Sequence, residues 1–120
     1  MLTPFGRFLR KLRIDRGELM KDMAVRLGVT ASYLSAVEVG KKQVPDSWVS
    51  TICNLYGLSN TSELRRFADL SKPEYKLEIP RGSDDLRRET ALTFARKVGA
   101  LDHDSLTRLL NVMLEKGECE

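Results

Sequence analysis

Apolar residues recur at intervals of three and four positions through most of the first 71 residues of the chain. That period is typical of amphipathic helices, because it places the apolar side chains on one face. The pattern predicts five helices, whose inner positions are Phe5, Phe8, Leu9 and Leu12; Met20, Met23, Ala24 and Leu27; Leu34 and Val37; Val49, Ile52, Cys53 and Tyr56; and Leu64, Phe67 and Ala68.

Residues that favour helix ends separate these five segments. The predicted N-terminal caps are Thr3 (followed by Pro4), Thr30, Asp46 and Asn60 (with Glu63). The predicted ends are Gly17, Gly28, a position near Glu38, Gly57 and a position before Pro73. The third helix is short and carries many small side chains.

The pattern changes after Pro73. Tyr75, Leu77 and Ile79 alternate with charged residues, which predicts a short strand. Two helices then follow, capped by Ser83 and Asp102, with inner positions Ala91, Phe94, Ala95 and Val98, and Leu106, Leu109, Leu110 and Met113. We therefore expect an all-α fold class, with a compact domain of about five helices over residues 1–71. We expect residues 72–120 to form a C-terminal dimerisation or accessory segment of one short strand and two helices.

A lone strand is not stable in water, and the chain offers no second one. One interpretation pairs Tyr75–Ile79 with the same strand of a second copy, so that the closing helices pack over the joint. The other treats the segment as an extended linker whose apolar residues dock on their own helices.

Composition restricts the function classes. Hydrophobic residues make up 42% of the chain and charged residues 31%, which predicts a packed core. No apolar run is long enough to span a membrane, and the N-terminus lacks a signal-peptide pattern, so we expect a cytoplasmic protein without membrane contact. The net charge is +3. The basic excess lies in residues 1–60, which contain nine Lys and Arg but five Asp and Glu. That bias suggests an anionic partner.

Candidate chemistry is sparse. Cys53, Cys119 and the single histidine, His103, have no metal-ligand spacing, so no metal site or cofactor is expected. The acidic pairs Asp84/Asp85 and Asp102/Asp104 lie at helix starts, where capping explains them. No nucleophile with a base is recognisable, so we expect no enzymatic activity. The basic residues Arg7, Arg10, Lys11 and Arg13 are interpreted as a solvated helix face.

The stretch from Gly28 to Gly40, "GVTASYLSAVEVG", follows the second helix and completes a helix-turn-helix. Ala24 supplies the small residue where the two helices cross, and Gly28 tolerates the left-handed turn. Leu34 and Val37 are the positions that the third helix buries.

Leu12 to Leu58, and above all "MAVRLGVTASYLSAVEVGKKQVP", resembles the Cro- and phage-repressor-like helix-turn-helix family, also called the XRE type. The resemblance implies a domain of about five helices whose third lies in the major groove of double-stranded DNA, and homodimers that read inverted repeats. It also implies base-edge contacts at Thr30, Ala31, Ser32, Ser35 and Ala36, and phosphate contacts at Tyr33, Lys41, Lys42 and Gln43. Glu38 matches a glutamate of the family, and we interpret its role as structural. Met20 and Val39 stand where the family often has glutamine and a polar residue.

The leading hypothesis is therefore a sequence-specific transcriptional regulator, most simply a repressor that binds as a homodimer. An alternative is an antitoxin, whose C-terminal half binds a toxin protein while the N-terminal half regulates its own operon. A third hypothesis is a scaffold that retains the motif without reading DNA.

Overall fold

The structure, a computed structural model, describes the backbone of residues 1–117 and the side chains of residues 1–115. Cys119 lies outside the described residues. The helices are α1 (Pro4–Arg16), α2 (Met20–Leu27), α3 (Ala31–Glu38), α4 (Trp48–Tyr56), α5 (Thr61–Leu70), α6 (Asp85–Lys97), which continues into a 3-10 turn at Val98–Ala100, and α7 (His103–Gly117). The chain divides into two compact units, Met1–Tyr75 and Lys76–Glu120.

The strand predicted at Tyr75–Ile79 is wrong. Residues 74–80 have no regular secondary structure, and residues 1–117 contain helices but no strand. Alternation of apolar and charged residues favours an extended backbone, but a strand also requires a neighbouring strand to pair its N–H and C=O groups. No such neighbour exists in the described part of the chain, so the alternation does not produce a ladder.

Side-chain caps start three of the five N-terminal helices as predicted. The Thr3 hydroxyl accepts a hydrogen bond from the Gly6 N–H (3.1 Å), and Pro4 occupies the first helical position. Thr30 caps α3 by accepting from the Tyr33 N–H (3.0 Å), and Asn60 caps α5 by accepting from the Glu63 N–H (3.0 Å).

Two predicted caps are displaced by one residue. α4 begins after Ser47, because the Trp48 N–H already donates to the Pro45 carbonyl (3.0 Å) in a backbone turn that replaces a side-chain cap. α6 begins after Asp84, which accepts from the Arg87 N–H (2.9 Å), while the Ser83 hydroxyl donates to Pro80 instead. The cap predicted for α7 is present, since Asp102 accepts from the Ser105 N–H (2.8 Å).

The first unit has one hydrophobic core to which all five of its helices contribute. Its buried apolar members are Phe5, Leu9, Leu12, Met23, Ala24, Leu34, Val37, Trp48, Val49, Ile52, Cys53, Tyr56 and Leu64. Every one of these except Trp48 is an inner position of the predicted helices, or Ala24 of the motif. The apolar periodicity therefore identifies most of the core.

Close backbone approach fixes α1 against the end of α3. Gly6 lies so near the Glu38 backbone that an added Cβ would stand 2.9 Å from the Glu38 Cα and closer still to its carbonyl oxygen. That same carbonyl accepts hydrogen bonds from the Thr3 N–H (2.9 Å) and the Thr3 hydroxyl (3.1 Å). The start of α1 thus holds the C-terminal end of α3 in place.

The second unit differs from the first in having no core. None of residues 76–115 is buried, and the predicted inner positions Phe94, Leu106 and Met113 are 39%, 37% and 53% exposed. The helices form as predicted, but within the chain their apolar faces stay largely uncovered. Among the described residues, no helix is long and apolar enough to cross a membrane.

Candidate nucleic-acid interface

A left-handed glycine joins α2 to α3. Gly28 has φ 72° and ψ 29°, and its N–H donates to the Val25 carbonyl (3.1 Å). The next N–H, that of Val29, donates to the Ala24 carbonyl (3.0 Å), which closes the end of α2. Thr30 then starts α3 within two residues. The sequence folds this way because glycine adopts positive φ without the strain a Cβ would add.

α3 is anchored by its inner face. Leu34 and Val37 are buried, at 0% and 1% exposure, and Ala24 of α2 is buried at 2%. The burial of Ala24 agrees with its predicted place as a small residue between the two helices of the motif. The orientation of α3 is thus determined by packing, which leaves its opposite face for another molecule.

The residues predicted to read bases differ in their exposure to solvent. Thr30, Ala31 and Ser32 at the start of α3 are exposed, whereas Ser35 and Ala36, one turn later, are half-buried. The Thr30 hydroxyl accepts the capping hydrogen bond from Tyr33, so part of its hydrogen-bonding capacity is used within the helix. Thr30, Ala31 and Ser32 are therefore the accessible side chains on this face.

The basic loop continues directly from the C-terminal end of α3. The N–H groups of Lys41 and Lys42 both donate to the Ala36 carbonyl, at 2.9 and 3.2 Å. Lys41, Lys42 and Gln43 have exposed side chains, and neither lysine forms an ion pair with any described residue. Two uncompensated positive charges therefore border the small-residue face of α3.

Tyr33 is held by α4. Its ring packs edge-on against Trp48, with the ring centroids 6.0 Å apart and the planes at 79°. Trp48 is 6% exposed, so it belongs to the core, while Tyr33 is half-buried at the margin. Such a contact leaves the phenol ring of Tyr33 little freedom.

A buried ion pair between α1 and α3 was not predicted from the sequence. Arg13 was interpreted as part of a solvated face, and that is wrong: it is 7% exposed and its guanidinium pairs with the carboxylate of Glu38, which is 1% exposed. One of the two hydrogen bonds, from Nη2 to Oε1, is 3.1 Å, and Nη1 also contacts the Met23 sulfur at 3.4 Å. The signal was present, because Arg13 lies one turn beyond Leu9 on the apolar face of α1.

A second polar cluster connects α2 to the end of α4. The Tyr56 hydroxyl donates to Glu18 Oε1 (2.7 Å), and the Arg26 guanidinium pairs with Glu18 Oε2 (2.9 Å) while lying over the Tyr56 ring. Burial, followed by the hydrogen bond to Glu18, raises the pKa of Tyr56 to about 12. Because the neutral phenol is favoured, the cluster carries a single carboxylate charge between two arginines, Arg16 and Arg26.

At the start of α2, Met20 is half-buried and packs against the core. The N–H of Leu19 donates to Asp22 Oδ2 (3.0 Å), so a carboxylate satisfies this helix end. In the family that this chain resembles, the side chain at this position often contacts a phosphate. Here Met20 occupies the position and packs against the core instead.

A family model for the helix-turn-helix domain matches residues 4–70, which is the span of α1 to α5 and more than half of the chain. No curated protein and no solved structure matches the chain. The matched span contains the glycine turn, the anchored α3 and the basic loop. The chain therefore belongs to the helix-turn-helix domain family, consistent with the Cro- and phage-repressor-like resemblance, and is a DNA-binding regulator.

Proposed function

We propose that this protein is a sequence-specific transcriptional repressor that binds an inverted-repeat operator as a homodimer, with α3 in the major groove. The observation that carries the proposal is the combination of an anchored α3, an outer face of small side chains and two lysines beside it that pair with no described residue. A helix of this kind can approach the base edges closely, because no long side chain holds it away from the groove.

In this proposal the exposed start of α3 reads the bases. Ala31 and Ala36 contact thymine methyl groups, and Thr30, Ser32 and Ser35 make single hydrogen bonds. None of these residues provides the bidentate contact that discriminates a base by about 1–3 kcal/mol. Specificity therefore depends strongly on half-site spacing and on the shape of the DNA.

Phosphate contacts fix the position of α3. Lys41, Lys42 and Gln43 follow directly from its C-terminal end and are exposed. The Tyr33 hydroxyl adds a fourth contact from a ring that Trp48 already orients. Contacts of this type determine register and affinity rather than sequence choice.

In this proposal the two parts of the chain have different roles. Residues 1–71 form the DNA-binding domain, and residues 72–120 provide dimerisation. A two-fold dimer would hold the two α3 helices about one DNA turn apart, roughly 34–36 Å, or a multiple of it. The antitoxin alternative stays a prediction, because no feature of the described residues favours a toxin over another partner.

Selection from random duplex DNA tests the proposal. The full chain is mixed with a random duplex pool, and bound molecules are recovered and sequenced over several rounds. We expect enrichment of an inverted repeat with short, weakly conserved half-sites at fixed spacing. Recovery of no enriched sequence, with the protein folded by circular dichroism, would overturn the proposal and favour the scaffold hypothesis.

A further inference from the structure

A groove runs along the surface of the first unit between α1 and α5. Its volume is about 420 Å³, which is within the range of small-molecule sites. Its floor is apolar and consists of Pro4, Phe8, Leu12, Leu58 and Phe67. Apart from Leu12, these side chains are only half-buried, so another molecule can contact them. None of the groove residues belongs to the set that we propose to contact DNA.

The two helices are antiparallel along this groove. The Phe5 N–H donates to the Ser71 hydroxyl (2.9 Å), which joins the start of α1 to the end of α5. Further along, the rings of Phe8 and Phe67 lie with their centroids 5.6 Å apart. The start of α5 therefore lies beside the end of α1.

The charged residues of the groove are separated by sign. Arg7 near the start of α1 and Lys11 one turn later are cationic, whereas Asp15 at the end of α1 and Glu63 at the start of α5 are anionic. All four residues are exposed, and none forms an ion pair with a described residue. The groove therefore has a cationic part and an anionic end, with an apolar floor along its length.

The stability of α1 does not explain its three charges on this groove. Arg7 and Lys11 lie one turn apart, where like charges destabilise a helix. Asp15 lies in the last turn, whose partial negative charge disfavours a carboxylate. Lys11 precedes Asp15 by one turn, which is the order in which an ion pair adds least to a helix, and the two do not pair. A bound ligand of opposite charges would offset these costs.

We propose that this groove binds a short peptide of three or four apolar residues with free termini. Its carboxylate lies between Arg7 and Lys11, and its ammonium group lies at Asp15 and Glu63. The inference goes beyond the proposed function, because it requires neither DNA nor a second copy of the chain.

The spacing of the charges determines the length of the ligand. Arg7 precedes Asp15 by eight residues and Lys11 precedes it by four. At 1.5 Å per helical residue, a carboxylate at Arg7 or between the two cations lies roughly 9–12 Å along the axis from Asp15. An extended chain spans about 3.3–3.6 Å per residue, so three or four residues bridge this distance. A single amino acid holds its two charges too close together to reach both ends.

The floor of the groove determines the side chains of the ligand. Phe8, Phe67 and Leu58 offer aromatic and aliphatic surface that is only partly covered within the chain. Alternate side chains of an extended peptide point to one face, so apolar side chains can lie on this floor. The outer side of the peptide stays in water, where its backbone N–H and C=O groups remain hydrogen-bonded.

The first test is a chemical-shift titration of the full chain with tri-leucine. We expect the backbone amides of the groove residues to shift, with a dissociation constant of about 1 mM or below. N-acetyl tri-leucine and tri-leucine amide each lack one charge and should bind at least about threefold more weakly. Weaker binding of tri-leucine itself overturns the proposal.

The same titration distinguishes the other possible occupants. Equal affinity for a tri-leucine that is both acetylated and amidated would assign the groove to an internal segment of a longer chain. Shifts of the same amides on dilution of the protein alone would assign it to a second copy. Either result overturns the proposal.

Matched variants test the position of each terminus. Arg7→Gln/Lys11→Gln should weaken tri-leucine at least about threefold but leave the affinity of its amide unchanged, and Asp15→Asn should do the same for the free and acetylated forms. Arg10→Gln is the control, because Arg10 is an exposed charge of α1 that does not line the groove, and it should bind like the wild type. Equal weakening of tri-leucine and its amide by Arg7→Gln/Lys11→Gln would show that the carboxylate does not lie at these cations, and would overturn the proposal.

Discussion

Arg13 in α1 and Glu38 at the end of α3 form a buried ion pair that joins the first helix of the domain to the last turn of α3. The Glu38 carbonyl is held in addition by Thr3, so both the side chain and the backbone of this residue are bound to the N-terminal segment. The orientation of α3, the helix that we propose to face DNA, therefore depends on contacts with the N-terminal segment.

Removing one partner of this pair should be costly. Arg13→Ala or Glu38→Ala leaves an unpaired buried charge, and we expect each to lower the free energy of unfolding by about 3–5 kcal/mol. Arg10→Ala, an exposed residue of the same helix, is the control and should change it by less than about 0.5 kcal/mol. The double variant Arg13→Met/Glu38→Leu should recover much of the loss in urea unfolding. A loss below about 1 kcal/mol for both single variants would contradict this assignment.

Gly6 should not tolerate a side chain. Its missing Cβ is what lets α1 touch the Glu38 backbone, so Gly6→Ala must push the helices apart. We expect a loss of about 1–3 kcal/mol in the free energy of unfolding and weaker DNA binding. Gly99→Ala is the matched control, because a Cβ there meets no atom within 4 Å. Equal stability of the two variants would show that α1 and α3 do not approach as described.

The Tyr56–Glu18 hydrogen bond makes stability depend on pH in the alkaline range. Since the pKa of Tyr56 is about 12 in the folded protein and about 10 when unfolded, its contribution is complete below pH 10. It is lost as the pH rises from 10 to 12. Tyr56→Phe should therefore cost about 1–2 kcal/mol at neutral pH, and the difference from wild type should shrink toward pH 12. Tyr75→Phe, at an exposed tyrosine, should cost nothing at either pH. A constant difference for Tyr56→Phe would contradict the raised pKa.

Lys41 and Lys42 should set much of the salt dependence of DNA binding. Each neutralised phosphate adds about 0.9 to the slope of log affinity against log salt, so Lys41→Ala/Lys42→Ala should reduce that slope by about 1.8. Binding to specific and nonspecific DNA should weaken alike. The charge-matched control is Lys76→Ala/Arg81→Ala in the second unit, which should leave the slope unchanged. An unaltered slope in the Lys41/Lys42 variant would remove these lysines from the interface.

The helices and most of the core follow from the sequence because local signals determine them. Thr3, Thr30 and Asn60 each cap a helix through a hydrogen bond to an N–H three residues later, which is a contact that spacing alone specifies. Gly28 is recognisable for a similar reason, since few residues adopt its positive φ.

The errors concern features that depend on distant partners. The alternation of apolar and charged residues around Leu77 predicts a strand. A strand forms only where a second strand pairs with its N–H and C=O groups, and the described residues contain none. The position of Arg13 on the apolar stripe of α1 signals its burial, but its pairing with Glu38, 25 residues away, is invisible in the periodicity. The stripe containing Phe94 identifies residues that need cover, but the sequence does not specify what covers them. Sequence reasoning therefore predicts elements better than it predicts their neighbours.

One pair of matched substitutions tests most directly whether α3 contacts DNA. Ser32 and Ser62 occupy the same position, two residues after the capping residue, at the exposed starts of α3 and α5. Glutamate at this position favours the helix through its dipole, so neither Ser32→Glu nor Ser62→Glu should unfold the protein. Affinity is measured by fluorescence anisotropy on a duplex recovered by selection, with thermal unfolding recorded for both variants. We expect Ser32→Glu to bind at least about a hundredfold more weakly because its carboxylate would face the DNA, and Ser62→Glu to bind like the wild type. Equal affinity of the two variants would contradict the assignment of α3 as the DNA-reading helix.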